Sequence, residues 1–278
     1  MTRALIALSR EAAQLAALVA RALPDADVFV HETAAAPPHP RVIRFNSIMA
    51  LTKRIFRAYD GLIFFAPCGV VVRALAPNVT HKLTDPAVVV VDAGGRYAIS
   101  LLSGHEGGAN ALALSVANIL GAEPVITTTT EALKTAIVGV GCRRGVPAGR
   151  IVTAVRRALK DARVPLADVR VLASADIKAD ERGLREAARI LGVPLRFISS
   201  EELRGTTRRF QRSAFVQRKV GLPAVSEPAA LLAGRRTRLV LPKRVFPGVT
   251  VAIARESCLW LASAPAESST ARAARRKR

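Results

Sequence analysis

The eight residues Ser103-Gly104-His105-Glu106-Gly107-Gly108-Ala109-Asn110 gather an imidazole, a carboxylate, a hydroxyl, an amide and three glycines. An imidazole titrates near neutral pH, so His105 can give or take a proton under ordinary conditions. Glu106 can orient it, act as a second acid–base group, or face solvent. Gly104, Gly107 and Gly108 let a ligand approach the backbone, and free N–H groups at a helix start attract anionic oxygen. Asn110 can hold a ligand carbonyl or brace the turn, and Ser103 adds a hydroxyl. The competing reading is a tight turn with a structural histidine.

A second group lies later in the chain. Cys142-Arg143-Arg144-Gly145 closes the apolar run Ala136–Gly141, and a glycine turn with two arginines suits carboxylates better than a ribose. Its G-x-G-x-x-x-G spacing is wrong for a dinucleotide fingerprint. Asp176 and Lys178 follow the strand-like Val169–Ala173 and can line a crevice; helix capping is the alternative for Asp176. Cys68, after Pro67 at a strand-to-helix junction, reads as an inert buried thiol, having no assigned base. The three cysteines (Cys68, Cys142, Cys258) and four histidines (His31, His39, His81, His105) show no metal-ligand spacing and no CxxC. No protein metal site and no disulfide framework are therefore expected.

These groups need a scaffold, and the apolar pattern supplies one. Ala4–Leu8, Val28–Val30, Leu62–Phe65, Ala87–Val91 and Tyr97–Leu102 read as strands. Helices are expected from the Ser9 N-cap to Leu23, over Ser47–Ala58, Val70–Leu75 and Ala111–Leu120. Past the polar run Thr127–Glu131, the strands Ala136–Gly141, Val169–Ala173, Leu195–Ile198, Leu239–Leu241 and Val249–Ile253 alternate with helices starting near Pro147, Lys178 and Ser226. The alternation predicts two α/β domains, each a mostly parallel open sheet flanked by helices. They are expected at residues 1–131 and 136–262, with a disordered basic tail at 263–278.

At 278 residues and 50% hydrophobic content, each domain can bury its own core. No apolar run reaches the roughly 18 residues that span a bilayer, and Ser9-Arg10-Glu11 interrupts the apolar N-terminus, so a cytoplasmic soluble protein is expected. The net charge of +21 is uneven: residues 1–136 carry +2 and residues 137–278 carry +19. The second half attracts polyanions. Nucleic acid is not the expected one, because aromatics make up only 4% and no nucleic-acid-binding motif occurs.

Taken in order, several segments resemble the cobalt-precorrin-5A hydrolase family of cobalamin biosynthesis. In the first half these are Gly61–Phe65, Cys68–Arg73, Thr84–Asp92, Ser103–Asn110 and Pro124–Thr128. In the second they are Val138–Gly145, Ala173–Glu181, Pro194–Phe197, Glu227–Leu232 and Gly248–Arg255. Two features depart from the family: Thr130 passes almost directly to Ile137 where members often carry an intervening segment, and Ser226 stands where many have cysteine. The resemblance implies opening of the ring-A δ-lactone of cobalt-precorrin-5A and release of C20 with its methyl as acetaldehyde, giving cobalt-precorrin-5B. Cobalt belongs to the substrate, so no cofactor is implied. His105, Glu106 and Asn110 are then the expected catalytic residues. Ser103, Gly104, Gly107, Gly108, Cys142, Arg143, Arg144, Asp176 and Lys178 are the expected substrate-binding ones. A homodimer, or transient contact with neighbouring pathway enzymes, is compatible with this reading. The alternative is a non-catalytic tetrapyrrole-binding carrier of the same pathway.

Overall fold

A computed structural model describes residues 2–35 and 42–257. The expected loop at Ala36–Pro40, Cys258 and the expected tail at 263–278 lie outside the described residues. The chain divides into two compact units, Met1–Leu133 and Lys134–Arg278.

The first unit runs β1 (Arg3–Ala7), α1 (Arg10–Ala22), β2 (Ala26–His31), β3 (Val42–Phe45), α2 (Ile48–Ile55), β4 (Gly61–Phe65), α3 (Cys68–Leu75), β5 (Ala87–Val91), β6 (Tyr97–Leu102), α4 (Ala109–Leu120), β7 (Glu123–Val125) and α5 (Thr129–Ala132). Its sheet has the order β3-β2-β1-β4-β5-β6-β7. All neighbours pair in parallel except β5 and β6. Alternate strand residues face opposite ways, which explains the continuous apolar runs. Leu5, Val28, Ile63 and Val89 pack under α1 and α4. Ile6, Phe29, Leu62 and Val88 pack under α2 and α3. Ser9 caps α1 by accepting the Ala12 N–H at 3.2 Å.

The antiparallel β6 has one consequence for function. Leu102 stands beside Val88, so β6 ends where β5 begins. The polar turn after β6 therefore sits at the edge where the parallel strands start. In open α/β sheets the usual ligand crevice lies at the opposite edge, where they end.

The second unit runs β8 (Ala136–Cys142), α6 (Ala148–Asp161), β9 (Val169–Ala175), α7 (Arg182–Leu191), β10 (Leu195–Ile198), α8 (Ser200–Gly205), α9 (Ala214–Val220), α10 (Ser226–Leu232), β11 (Thr237–Phe246) and β12 (Val249–Glu256). Its sheet order is β10-β9-β8-β12-β11. Here the pairing is more mixed than expected: β10–β9 and β9–β8 are parallel, β8–β12 and β12–β11 antiparallel. The cause is the tight Pro247-Gly248 turn, which folds β12 straight back along β11; Gly248 takes φ +76° there. Val138, Val140, Val251 and Ile253 face α6 and α7. On the other face α10 lies against β8 so closely that a Cβ on Gly139 would stand 1.8 Å from the Ser226 carbonyl oxygen. Ser226 itself is buried.

Candidate functional site

The Ser103–Asn110 turn is built by its own backbone. Ser103 is buried with φ 55°, and its hydroxyl donates to the Asp85 carbonyl at 2.9 Å, which ties the turn to the start of β5. The Ser103 and Gly104 carbonyls accept the N–H groups of Ala109 and Asn110 at 3.1 and 2.9 Å. Gly107 passes over Ser103 so closely that a Cβ there would lie 2.4 Å from that of Ser103. Gly108 caps α4 in the left-handed region, φ 85°, with open space beside it. The N–H groups of Gly107 and Gly108 have no protein acceptor among the described residues.

The side chains divide into those that hold the turn and those that leave it. Asn110 holds it: its amide donates to Thr128 Oγ1 at 2.9 Å, and its carbonyl accepts from Ser100 at 2.8 Å. Of the two roles open to it, bracing is the one this geometry fits. His105 and Glu106 are exposed. Glu106 Oε1 accepts from Lys82 Nζ at 2.9 Å. The Lys82 ammonium, helped by the Glu106 backbone and the neighbouring His105, holds the Glu106 carboxyl below the ordinary glutamate range. Glu106 is thus an ionised partner of Lys82. His105 has no hydrogen-bond partner among the described residues.

A cavity of about 480 Å³ reaches Gly107 from the edge where β4 and β5 begin; Arg57, Tyr59, Leu83 and Asp85 also line it. Tyr59 is held as the neutral phenol near neutral pH. Burial and its 2.6 Å hydrogen bond to Asp27 push its phenol up to about 12. Burial alone would raise the Asp85 carboxyl, but hydrogen bonds from Thr80 and His81, with Arg57 at 4.0 Å, outweigh it and hold the group low. Arg57 donates to Thr80 Oγ1 at 2.7 Å and is half exposed, so it presents a positive charge to this cavity.

In the second unit the expected binding residues all lie at the edge where β8, β9 and β10 end, but their side chains separate. Asp176 is used internally: its carboxylate accepts from the Ile177 N–H at 2.7 Å, the Ser200 N–H at 2.8 Å and the Ser200 hydroxyl. Lys178 turns inward and donates to Glu181 Oε1 at 3.1 Å; the two side chains are 14% and 8% exposed. Glu181 Oε2 also accepts the Gly145 N–H at 3.0 Å, and Arg144 stands 3.8 Å from the carboxylate. Burial opposes ionisation of Glu181, but these donors outweigh it and hold its carboxyl low. Burial pushes the Cys142 thiol up, which does not suit a nucleophile. Arg143 and Arg144 remain exposed and line an open trough of about 670 Å³ with Arg150, Val245 and Phe246.

Sequence reasoning missed Arg57, Glu181 and Arg150. Only Glu181 left a signal, as the acidic residue immediately before α7, whose residues are mostly basic or apolar. Among the described residues no cluster of three or more His, Cys, Asp or Glu stands together, and no helix is long and apolar enough to cross a membrane.

Comparisons with known proteins follow this division. Residues 50–131 match the family model described as Cobalamin synthesis G N-terminal, and residues 136–254 match Cobalamin synthesis G C-terminus. A protein of Salmonella typhimurium named cobalt-precorrin-5A hydrolase is 30% identical, over 68% of this chain and 81% of its own. One of the same name from Priestia megaterium is 27% identical, over 75% and 82%. The crystal structure of CobE, a protein from the cobalamin biosynthetic pathway, is similar at 35% identity and TM-score 0.41; the match covers 44% of this chain and 91% of that one. With both family models in order along its two units, the chain belongs to the cobalamin synthesis G family.

Proposed function

We propose that the protein is a cobalt-precorrin-5A hydrolase that opens the ring-A δ-lactone of its substrate and releases C20 with its methyl as acetaldehyde. The reading is carried by membership, through both units, of a family in which relatives at 30% and 27% identity bear that name. The Ser103–Asn110 turn supplies groups that suit the chemistry. Water adds to the lactone carbonyl while the His105 imidazole takes its proton. The unclaimed N–H groups of Gly107 and Gly108 receive the developing oxyanion. Collapse of the tetrahedral intermediate breaks the ring C–O bond, and the imidazolium returns the proton to the departing oxygen. The freed hydroxyl then loses its proton and its C–O becomes the aldehyde carbonyl as the carbon–carbon bond breaks, with the cobalt-bearing macrocycle taking the bonding pair. Asn110 acts in this scheme by holding the turn, and Glu106 by keeping a negative charge beside His105. In the second unit Arg143 and Arg144 are suited to binding carboxylates.

One observation favours the carrier reading: His105 lacks an orienting partner, whereas catalytic histidines usually have one. Incubation with cobalt-precorrin-5A separates the two. Acetaldehyde together with a corrinoid of the expected lower mass supports the hydrolase. Tight binding with neither product supports the carrier and removes the hydrolase.

A further inference from the structure

The trough in the second unit has two walls. One is Arg143 to Pro147 with Arg150 on the first turn of α6; the other is the tip of the β11–β12 hairpin, Val245 to Gly248. They are tied together, because the Arg143 N–H donates to the Gly248 carbonyl at 2.9 Å. Glu181 fixes the first wall from behind through the Gly145 N–H. The trough is therefore built rather than left between loose loops. Its chemistry is mixed. Three guanidinium groups stand on one side, and the side chains of Arg143 and Arg150 have no carboxylate partner among the described residues. On the other side Phe246, paired with Val249 on the face that α6 covers, is partly buried against the core and lines the trough. An aromatic ring on one wall with arginines on the other matches a ligand with an apolar face and an anionic rim. The volume of about 670 Å³ lies in the range of small-molecule sites.

We infer that this trough seats a flat, carboxylate-rimmed tetrapyrrole, with Phe246 against its face and Arg150 joining Arg143 and Arg144 on its carboxylates. The assignment rests on the hydrolase reading for the class of ligand, and it names Arg150 and Phe246 as substrate-positioning residues. Helix α6 supplies a matched control. Arg156 is exposed on the same helix but does not line the trough, so Arg156→Gln removes the same charge from the same element.

The test is binding of uroporphyrin, a planar tetrapyrrole with carboxylates around its rim, followed by fluorescence on the full chain at two salt concentrations. Arg150→Gln should weaken binding about three- to tenfold, as loss of one charge-assisted contact at a solvent-facing site does. Arg150→Lys should restore part of it by keeping the charge without the fork. Phe246→Ala should weaken binding roughly tenfold, with a smaller salt dependence than Arg150→Gln. Arg156→Gln should change nothing. Unaltered circular dichroism and unfolding midpoints show that the variants fold. Absence of binding by the wild type overturns the inference, as does equal weakening by Arg156→Gln, which would assign the effect to net charge. Failure of the hydrolase reading looks different: porphyrin binding keeps this residue pattern while no acetaldehyde is released from cobalt-precorrin-5A. Conversely, Arg150→Gln and Phe246→Ala enzymes that release acetaldehyde at unchanged KM leave the hydrolase standing and remove the seat.

Discussion

Glu181→Gln is the sharpest test of how the arginine turn is held. The substitution keeps the size of the side chain and an acceptor for the Gly145 N–H, but it removes the charge opposite Lys178 at 3.1 Å and Arg144 at 3.8 Å. Lys178 is 14% exposed, so its ammonium is left largely buried without a counter-charge. Breaking a buried pair from one side costs about 3–5 kcal/mol. Lys178 keeps some access to water and can turn outward, so the lower part of the scale applies, about 2–3 kcal/mol. With a urea slope of about 2 kcal/mol per molar, the unfolding midpoint should fall by about 1–1.5 M at neutral pH. The pH dependence has a definite sign. The Glu181 carboxyl lies below its ordinary value of 4.5 in the folded chain. Its contribution is complete above that value and is lost as pH falls through the lower, folded one. The gap between wild type and variant should therefore close in acid. The double variant Lys178→Met/Glu181→Gln should recover about 1–2 kcal/mol relative to the sum of the single changes. Equal midpoints at neutral pH, a gap that stays constant into acid, or strictly additive single changes would refute the account of a buried ionic lock.

Three further outcomes are expected. His105→Ala should leave the unfolding midpoint unchanged, because the ring is exposed and unpartnered among the described residues, while acetaldehyde release falls by about a hundredfold or more. Turnover at the wild-type rate would remove His105 as the base. Gly107→Ala should destabilise by about 1–3 kcal/mol, since its Cβ would stand 2.4 Å from that of Ser103, and turnover should drop further than stability because the N–H groups are displaced. Gly139→Ala should cost about 3 kcal/mol or more, as its Cβ would press on the Ser226 carbonyl at 1.8 Å; a melting temperature within a degree of wild type would show that α10 can move away from β8.

The elements most legible in the sequence are those buried on both faces or marked by a cap. Ala87–Val91 is five apolar residues in a row, all buried, and it announces a central strand. Ser9 before an apolar stripe announces α1. β3 has only four residues with Arg44 among them, too short for a period to show. Only Leu239–Leu241 of β11 was readable, because Pro242-Lys243-Arg244 looks like a loop. The strand passes through it with register shifts between Leu239 and Leu241 and between Leu241 and Arg244, which accommodate a residue that cannot donate. The site was legible as residue types but not as directions. Asp176 and Lys178 are polar residues beyond a strand end, as a ligand-binding pair would be. Their partners, Ser200 and Glu181, claim both side chains: Asp176 stays exposed while bonded to Ser200, and Lys178 is drawn inward by Glu181. The Glu181 link to Gly145 spans 36 positions, and nothing local in the sequence encodes it.

Strand direction also decides which groups can work together in the first unit. Cys68 opens α3 at the edge where β4 ends, and Gly107 lines a cavity at the edge where β4 begins. A strand rises about 3.3 Å per residue, so the five residues of β4 hold these edges roughly 15 Å apart. Nucleophile and base must come within about 3 Å of each other or of one shared water. Cys68 is therefore excluded as a partner of the His105 turn, although both follow strands and both precede helices. The same geometry brings Arg57, past the end of α2, and Asp85, just before β5, to the cavity at the turn. The ordinary rule for open α/β sheets points to the Cys68 edge. The reversal of β6, with β7 running parallel to it, moves the candidate turn to the other one. The cavity reaching Gly107 is lined by Arg57 and Leu83, so an anionic group on a ligand that enters it can meet the Arg57 guanidinium there.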